Sequence, residues 1–122
     1  MRNRQVLPRE IKSEQLRETM RGFAMSLGVR CSFCHVGNEQ MDLSDRDFPS
    51  DGNPRKTVAR RMIRMVARLN RDIPRFVGRD ARVTCYTFHR GSSTPATVYP
   101  MPTRPPGAPP ANDGGACAHT AA

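Results

Sequence analysis

The run Cys31-Ser-Phe-Cys-His35 constrains this chain more than any other feature. Two thiols separated by two residues, with an imidazole directly behind them, have the spacing of a covalent c-type haem attachment site. Each thiol can form a thioether to a porphyrin vinyl group, and the imidazole can ligate the iron from one face. A Cys-x-x-Cys pair alone would leave zinc, disulfide and redox uses equally open; His35 tips the balance to haem. Such a group would also answer a folding problem. From Thr94 onward Pro, Gly and Ala dominate, and that composition cannot bury enough apolar area to offset its ordering entropy. Roughly 90 residues remain to fold, a marginal size for a core of side chains alone. The chain has two Tyr, five Phe and no Trp, so a bound macrocycle would supply apolar bulk that the side chains lack.

Two amphipathic helices are expected. Ser13 suits a helix N-cap, with Glu14 and Glu18 near the positive end. Leu16, Met20, Phe23, Ala24 and Leu27 then fall on one helical face, and Gly28 suits the residue just past the end. Residues 36–53 are polar, acidic and rich in Gly, Pro and Ser, which reads as a loop. Pro54 suits a first helical turn. The second apolar stripe is Val58, Met62, Met65, Val66 and Leu69, with Asn70 able to end the helix. Residues 71–82 read as a connector and Val83–Arg90 as a third short segment. The chain thus holds two similar units, each a Met-bearing helix followed by a Cys/His segment. The expected fold is mainly α: an extended segment over 1–12, a small cytochrome-like domain over 13–94, and a Pro-rich, disordered or polyproline-like tail over 95–122.

A haem held by His35 needs a sixth ligand unless one position stays open, as in a gas sensor. Met thioether is the common choice in electron carriers, and Met20 lies eleven residues before Cys31 on the preceding stripe. The plain alternative for Met20, Met62 and Met65 is core packing. In the second unit, Cys85-Tyr-Thr-Phe-His89, Phe88 stands where the second thiol would be. A second haem could bind through one thioether and His89, with Met62 opposite, or that site could be lost. A zinc reading also exists: Cys31, Cys34, Cys85 and His89 could form a Cys₃His site stabilising an interaction or nucleic-acid-binding module. It leaves His35 and the Met helices unexplained. A thioredoxin-type use of the thiols lacks the surrounding βαβ pattern. Cys117 and His119 in the tail have no supporting spacing.

The net charge is +9, and residues 55–90 carry eleven basic side chains against Asp72 and Asp80. This block suits docking to an acidic redox partner protein or an anionic surface, or is simply solvated. No aromatics interleave the arginines, so nucleic acid is not the expected partner. No apolar run is long enough for a membrane span. Met1-Arg-Asn-Arg4 opens a polar stretch rather than a signal peptide. Covalent haem attachment in bacteria takes place outside the cytoplasm, so a periplasmic protein with a start further upstream is expected.

Three blocks go beyond the attachment spacing: Ser26-Leu-Gly-Val-Arg-Cys-Ser-Phe-Cys-His35, Thr57-Val-Ala-Arg-Arg-Met-Ile-Arg-Met65 and Val83-Thr-Cys-Tyr-Thr-Phe-His-Arg-Gly-Ser92. In this order they resemble the cytochrome c subunit of photosynthetic reaction centres, in particular one two-haem half of it. The resemblance implies haem c on Cys31, Cys34 and His35 with Met20 as distal ligand, and a second haem on Cys85 and His89 with Met62 as distal ligand. It also implies electron transfer rather than catalysis, to or from a membrane-bound electron-transfer complex. The chain departs from the family pattern at Phe88. It has no histidine between Asn70 and Cys85 and no lipid-anchoring N-terminal Cys, so the resemblance implies electron transfer without implying photosynthesis.

Overall fold

The computed structural model describes residues 3–38, 40–100 and 106–107. Cys117 and His119, with most of the expected tail, lie outside the described residues. The fold is mainly helical: α1 (Ser13–Leu27), α2 (Pro54–Val77) and α3 (Cys85–His89), with 3₁₀ turns at Cys31–Phe33 and Leu43–Asp45. Among the described residues the extended pairing is a single antiparallel bridge between Val36 and Asp47.

α1 ends where its sequence says it should. Gly28 takes a left-handed conformation (φ 63°) and its N–H caps the carbonyl of Met25. At the other end Lys12, not Ser13, occupies the cap position, and the Gln15 side chain accepts from its backbone N–H at 3.1 Å. α2 starts as expected at Pro54, behind Asn53, whose side chain accepts from the Arg55 N–H at 3.0 Å.

The far end of α2 differs from expectation. The helix passes Asn70, runs through Pro74 and stops at Val77. Pro74 brings no N–H to the carbonyl of Asn70, yet the helix continues. The Asn70 side chain, expected to end the helix, is used elsewhere. Its Nδ2 donates to the Val83 carbonyl and its Oδ1 accepts from the Val83 N–H, both at 2.8 Å. The amide thus pairs with both backbone groups of one residue, as a strand neighbour would. Asn70→Ala removes both bonds and leaves these half-buried backbone groups of Val83 unpaired. A loss of about 2 kcal/mol is expected, read as a lower midpoint in urea unfolding with an unchanged slope.

α3 is held from two sides. Asn70 fixes the residue two before it. Behind it, the Gly91 N–H donates to the Ser26 carbonyl at 2.8 Å, and α1 packs against α3. Thr84 caps α3 by accepting from the Thr87 N–H, and Thr87 Oγ1 accepts in return from the Thr84 N–H at 2.9 Å.

The helices do not close on a core. Among the described residues no hydrophobic side chain is buried, and the one buried residue is Arg60. Half-buried positions on α2 run through Ala59, Ile63, Val66, Leu69 and Ile73, whereas Val58, Met62 and Met65 of the expected stripe stand exposed. Among the described residues, no side chains bury the apolar stripes.

Candidate functional site

The first Cys/His segment is a single helical turn. The N–H groups of Cys34 and His35 both point at the Cys31 carbonyl, at 3.3 and 2.9 Å. That puts Cys31 and His35 on the same side of the turn. The start of α2 fastens this turn: Asn53 Nδ2 donates to the Phe33 carbonyl at 3.0 Å, and the Arg55 guanidinium lies 4.4 Å above the Phe33 ring. Cys31 is exposed, while Cys34 and His35 are half-buried.

His35 is oriented by its neighbour loop. Its Nδ1 sits 3.2 Å from the Phe48 carbonyl, and its ring meets the Phe48 ring edge-on at 5.0 Å. A carbonyl can only accept, so Nδ1 carries the proton and Nε2 keeps its lone pair. Burial lowers the proton affinity of the ring, as do Lys56 and Arg60, while the Phe48 carbonyl opposes them. The neutral, ligating form is therefore favoured. Burial also raises the Cys34 thiol above its ordinary value, partly offset by Arg55.

The loop that presents the Phe48 carbonyl is clamped by charge. Lys56 Nζ donates to the carbonyls of Phe48, Pro49 and Ser50 at 2.8, 2.9 and 2.7 Å. It also stands 3.3 Å from Asp51, which pairs with Arg60 at 2.9 Å. Hydrogen bonds from Arg60, Asn3 and Lys56 hold the Asp51 carboxyl far below the usual carboxylate range. Two members of the basic block are thus internal fasteners rather than surface charges.

The second segment repeats the first. In α3, Cys85 and His89 are again four residues apart on one turn, and His89 Nδ1 lies 2.9 Å from the Ser92 carbonyl. Nε2 is again the free nitrogen. Cys85, Phe88 and His89 line an apolar cleft of about 70 Å³ with Met62, Met65, Val66 and Pro95. Burial raises the Cys85 thiol. The structure therefore brings Met62, Cys85 and His89 together. Phe88, in the place of the missing thiol, forms part of the wall. The cleft is smaller than a macrocycle; what it offers is the donor set and an apolar lining. Met20 lies half-buried on α1, the helix packed against α3, and no hydrogen bond links it to His35 among the described residues.

The zinc alternative is not assembled. Among the described residues no group of three or more His, Cys, Asp or Glu side chains could hold a metal ion. Cys31 and Cys34 sit by the start of α2, and Cys85 and His89 by its middle. No helix among the described residues is long and apolar enough to cross a membrane.

Sequence reasoning missed Phe48 and Ser92, whose contribution is a backbone carbonyl, and Lys56, Asp51 and Asn53, which hold the first turn. A lysine two residues into a helix, behind a Pro-Ser-Asp-Gly loop, was the available signal.

Paired Cys/His turns, each imidazole held through Nδ1, suit a c-type cytochrome. A family model agrees: the chain belongs to the photosynthetic reaction centre cytochrome c subunit family, whose model matches residues 41–116. The match takes in Met62, Cys85 and His89 and begins after the first turn. Over 69 residues the chain is 35% identical to the photosynthetic reaction center cytochrome c subunit of Rubrivivax gelatinosus, covering 57% of this chain and 16% of that protein. Over 81 residues it is 37% identical to the subunit of the same name from Thermochromatium tepidum, covering 63% and 18%. The chain thus aligns with less than a fifth of the length of these relatives. No solved structure matches it.

Proposed function

We propose that this chain is a non-catalytic electron carrier with two covalently held haems. One observation carries the reading. In both units an imidazole one helical turn beyond a cysteine spends Nδ1–H on a backbone carbonyl and keeps Nε2 free. That is the tautomer and anchoring that an axial ligand needs. The first haem would be held by thioethers from Cys31 and Cys34 and by His35, with Met20 as distal ligand. The second would be held by one thioether from Cys85 and by His89, with Met62 opposite. Haem, when bound, supplies an iron that cycles between ferrous and ferric states. The chain's own residues orient the imidazoles, supply apolar cover from Met62, Met65, Val66 and Phe88, and carry the docking charge. Covalent attachment would put the working protein in the periplasm.

The test is mass spectrometry of protein matured in a bacterial periplasm. Two haem additions are expected, falling to one in Cys85→Ala. A single addition unaffected by Cys85→Ala would retire the second site, and none would defeat the carrier reading. Carbon monoxide binding to the reduced protein would mark an open distal position and remove Met20 or Met62 as a ligand.

The partner would be an acidic redox protein, as part of or on the way to a membrane-bound electron-transfer complex. Arg61, Arg64, Arg68, Arg71 and Arg75 recur at three- and four-residue steps along about 21 Å of α2, and all are exposed. Like charges so spaced repel one another, and among the described residues only Arg75 of the five meets a carboxylate, Asp72 at 3.9 Å. Electron exchange with an acidic redox protein should slow severalfold between low and physiological salt in stopped-flow measurements. The Arg64→Glu/Arg68→Glu variant should be slower and should lose most of that salt dependence.

A further inference from the structure

We infer that Lys56, with Asp51 as its counter-charge, is a positioning residue that raises the reduction potential of the haem on His35 by competing for the Phe48 carbonyl. The inference rests on the proposed haem at Cys31, Cys34 and His35. It concerns how this chain tunes that site.

The Phe48 oxygen serves two donors. His35 Nδ1 approaches to 3.2 Å, and the Lys56 ammonium to 2.8 Å. The shorter, charge-assisted bond is the stronger. A carbonyl already engaged by a cation is a poorer acceptor for the imidazole N–H. A weaker Nδ1–H···O bond leaves Nε2 less electron-rich, and so a weaker donor to ferric iron. The ferrous state gains by comparison, and the potential rises. The charge acts in the same sense, because a cation near the ring disfavours the more positive oxidation state.

The ammonium is built in rather than incidental. Its side chain is 12% exposed, and it is held by three consecutive loop carbonyls as well as by Asp51. Arg60, with a side chain 10% exposed, anchors Asp51 from the next turn of α2 and donates to the Asn3 carbonyl at 3.3 Å. Asn3 in turn donates to the Pro49 carbonyl at 2.6 Å. The competing donor therefore cannot swing away from Phe48 without dismantling the loop. Asp51 draws on the same ammonium at 3.3 Å and moderates its effect on the carbonyl.

Two variants of opposite sign separate this role from simple bracing. Haem-loaded protein in a Cys85→Ala background carries one covalent haem and gives one potential. There, Lys56→Met keeps the buried stem but removes the donor and the charge; the potential should fall, and the His35 Nδ1 proton resonance should move downfield as its hydrogen bond tightens. Asp51→Asn frees the ammonium for Phe48; the potential should rise and the resonance should move upfield. Lys56→Arg, which keeps the charge, should stay close to the parent. A purely structural role would loosen the loop in both variants and move both potentials the same way. Shifts of the same sign, or none, in protein whose mass shows haem on Cys31 and Cys34 overturn the inference and leave the carrier reading standing. Absence of haem from those cysteines overturns both. Should Lys56→Met fail to mature, Asp51→Asn decides alone: a rise sustains the inference, and no change or a fall ends it.

Discussion

Produced without haem, the chain will melt over a broad range with no cooperative step, while the haem-loaded chain will give a single sigmoidal transition. Circular dichroism of the two forms, followed against temperature, reads the difference. The expectation comes from where the apolar side chains stand. Among the described residues none is buried, although two helices present apolar stripes. Val58 is 50% exposed, and Met62 and Met65 are 40% exposed. Completing the burial of these three side chains alone would contribute roughly 3 kcal/mol. That is a large share of the total stability of a small domain, about 5–15 kcal/mol. Ligand bonds at His35 and His89 would add to it, and covalent attachment keeps the apolar body from leaving. Protease digestion should show the same contrast, with rapid loss of the haem-free form. A haem-free chain that melts cooperatively at the temperature of the loaded one would show that the helices hold together unaided.

Gly28→Val will lower stability by about 2–4 kcal/mol, the largest effect expected of any substitution outside the Cys/His turns. Two costs combine. Gly28 adopts φ 63°, a conformation that a β-branched residue reaches only with strain. A Cβ there would also run into the carbonyl group of Gly91. Both partners are backbone, so neither can rotate aside. Displacement would break the Gly91-to-Ser26 bond and pull α3 from α1. Covalent haem yield should therefore fall at both units, although Gly28 touches neither imidazole. Gly22→Ala, in the same helix, is the contrasting case. Nothing lies within 4 Å of a Cβ at Gly22, so alanine should raise stability by about 0.5–1 kcal/mol through propensity alone. Thermal melts of the two variants against the parent would separate a close approach from a general intolerance of change in α1.

What the sequence disclosed and what it withheld follow physical lines. α1 was legible because its periodic stripe stops at a glycine that can take positive φ. The start of α2 was legible from Pro54. Its end was not, since Asn70 read as a stop and residues 71–82 as a connector. The side chain of Asn70 was instead spent on Val83, a pairing thirteen residues away that no local pattern displays. The thiols and imidazoles of both units stood out as candidates in the sequence, because few residue types can perform that chemistry. The groups that aim the imidazoles could not, because Phe48 and Ser92 act through carbonyls that every residue carries. Lys56 and Arg60 looked like members of a surface charge block. Only the folded loop over 48–51 shows that one ammonium replaces several missing backbone donors.

The bond between the peptide groups of Ser26 and Gly91 has a consequence for speed. Ser26 lies five residues before the first Cys, and Gly91 two residues after the second His. Main chain, rather than mobile side chains, thus ties together the supports of the two candidate redox centres. Tunnelling probability decays exponentially with separation, so a joint that suppresses drift between donor and acceptor would keep the hopping rate uniform from molecule to molecule.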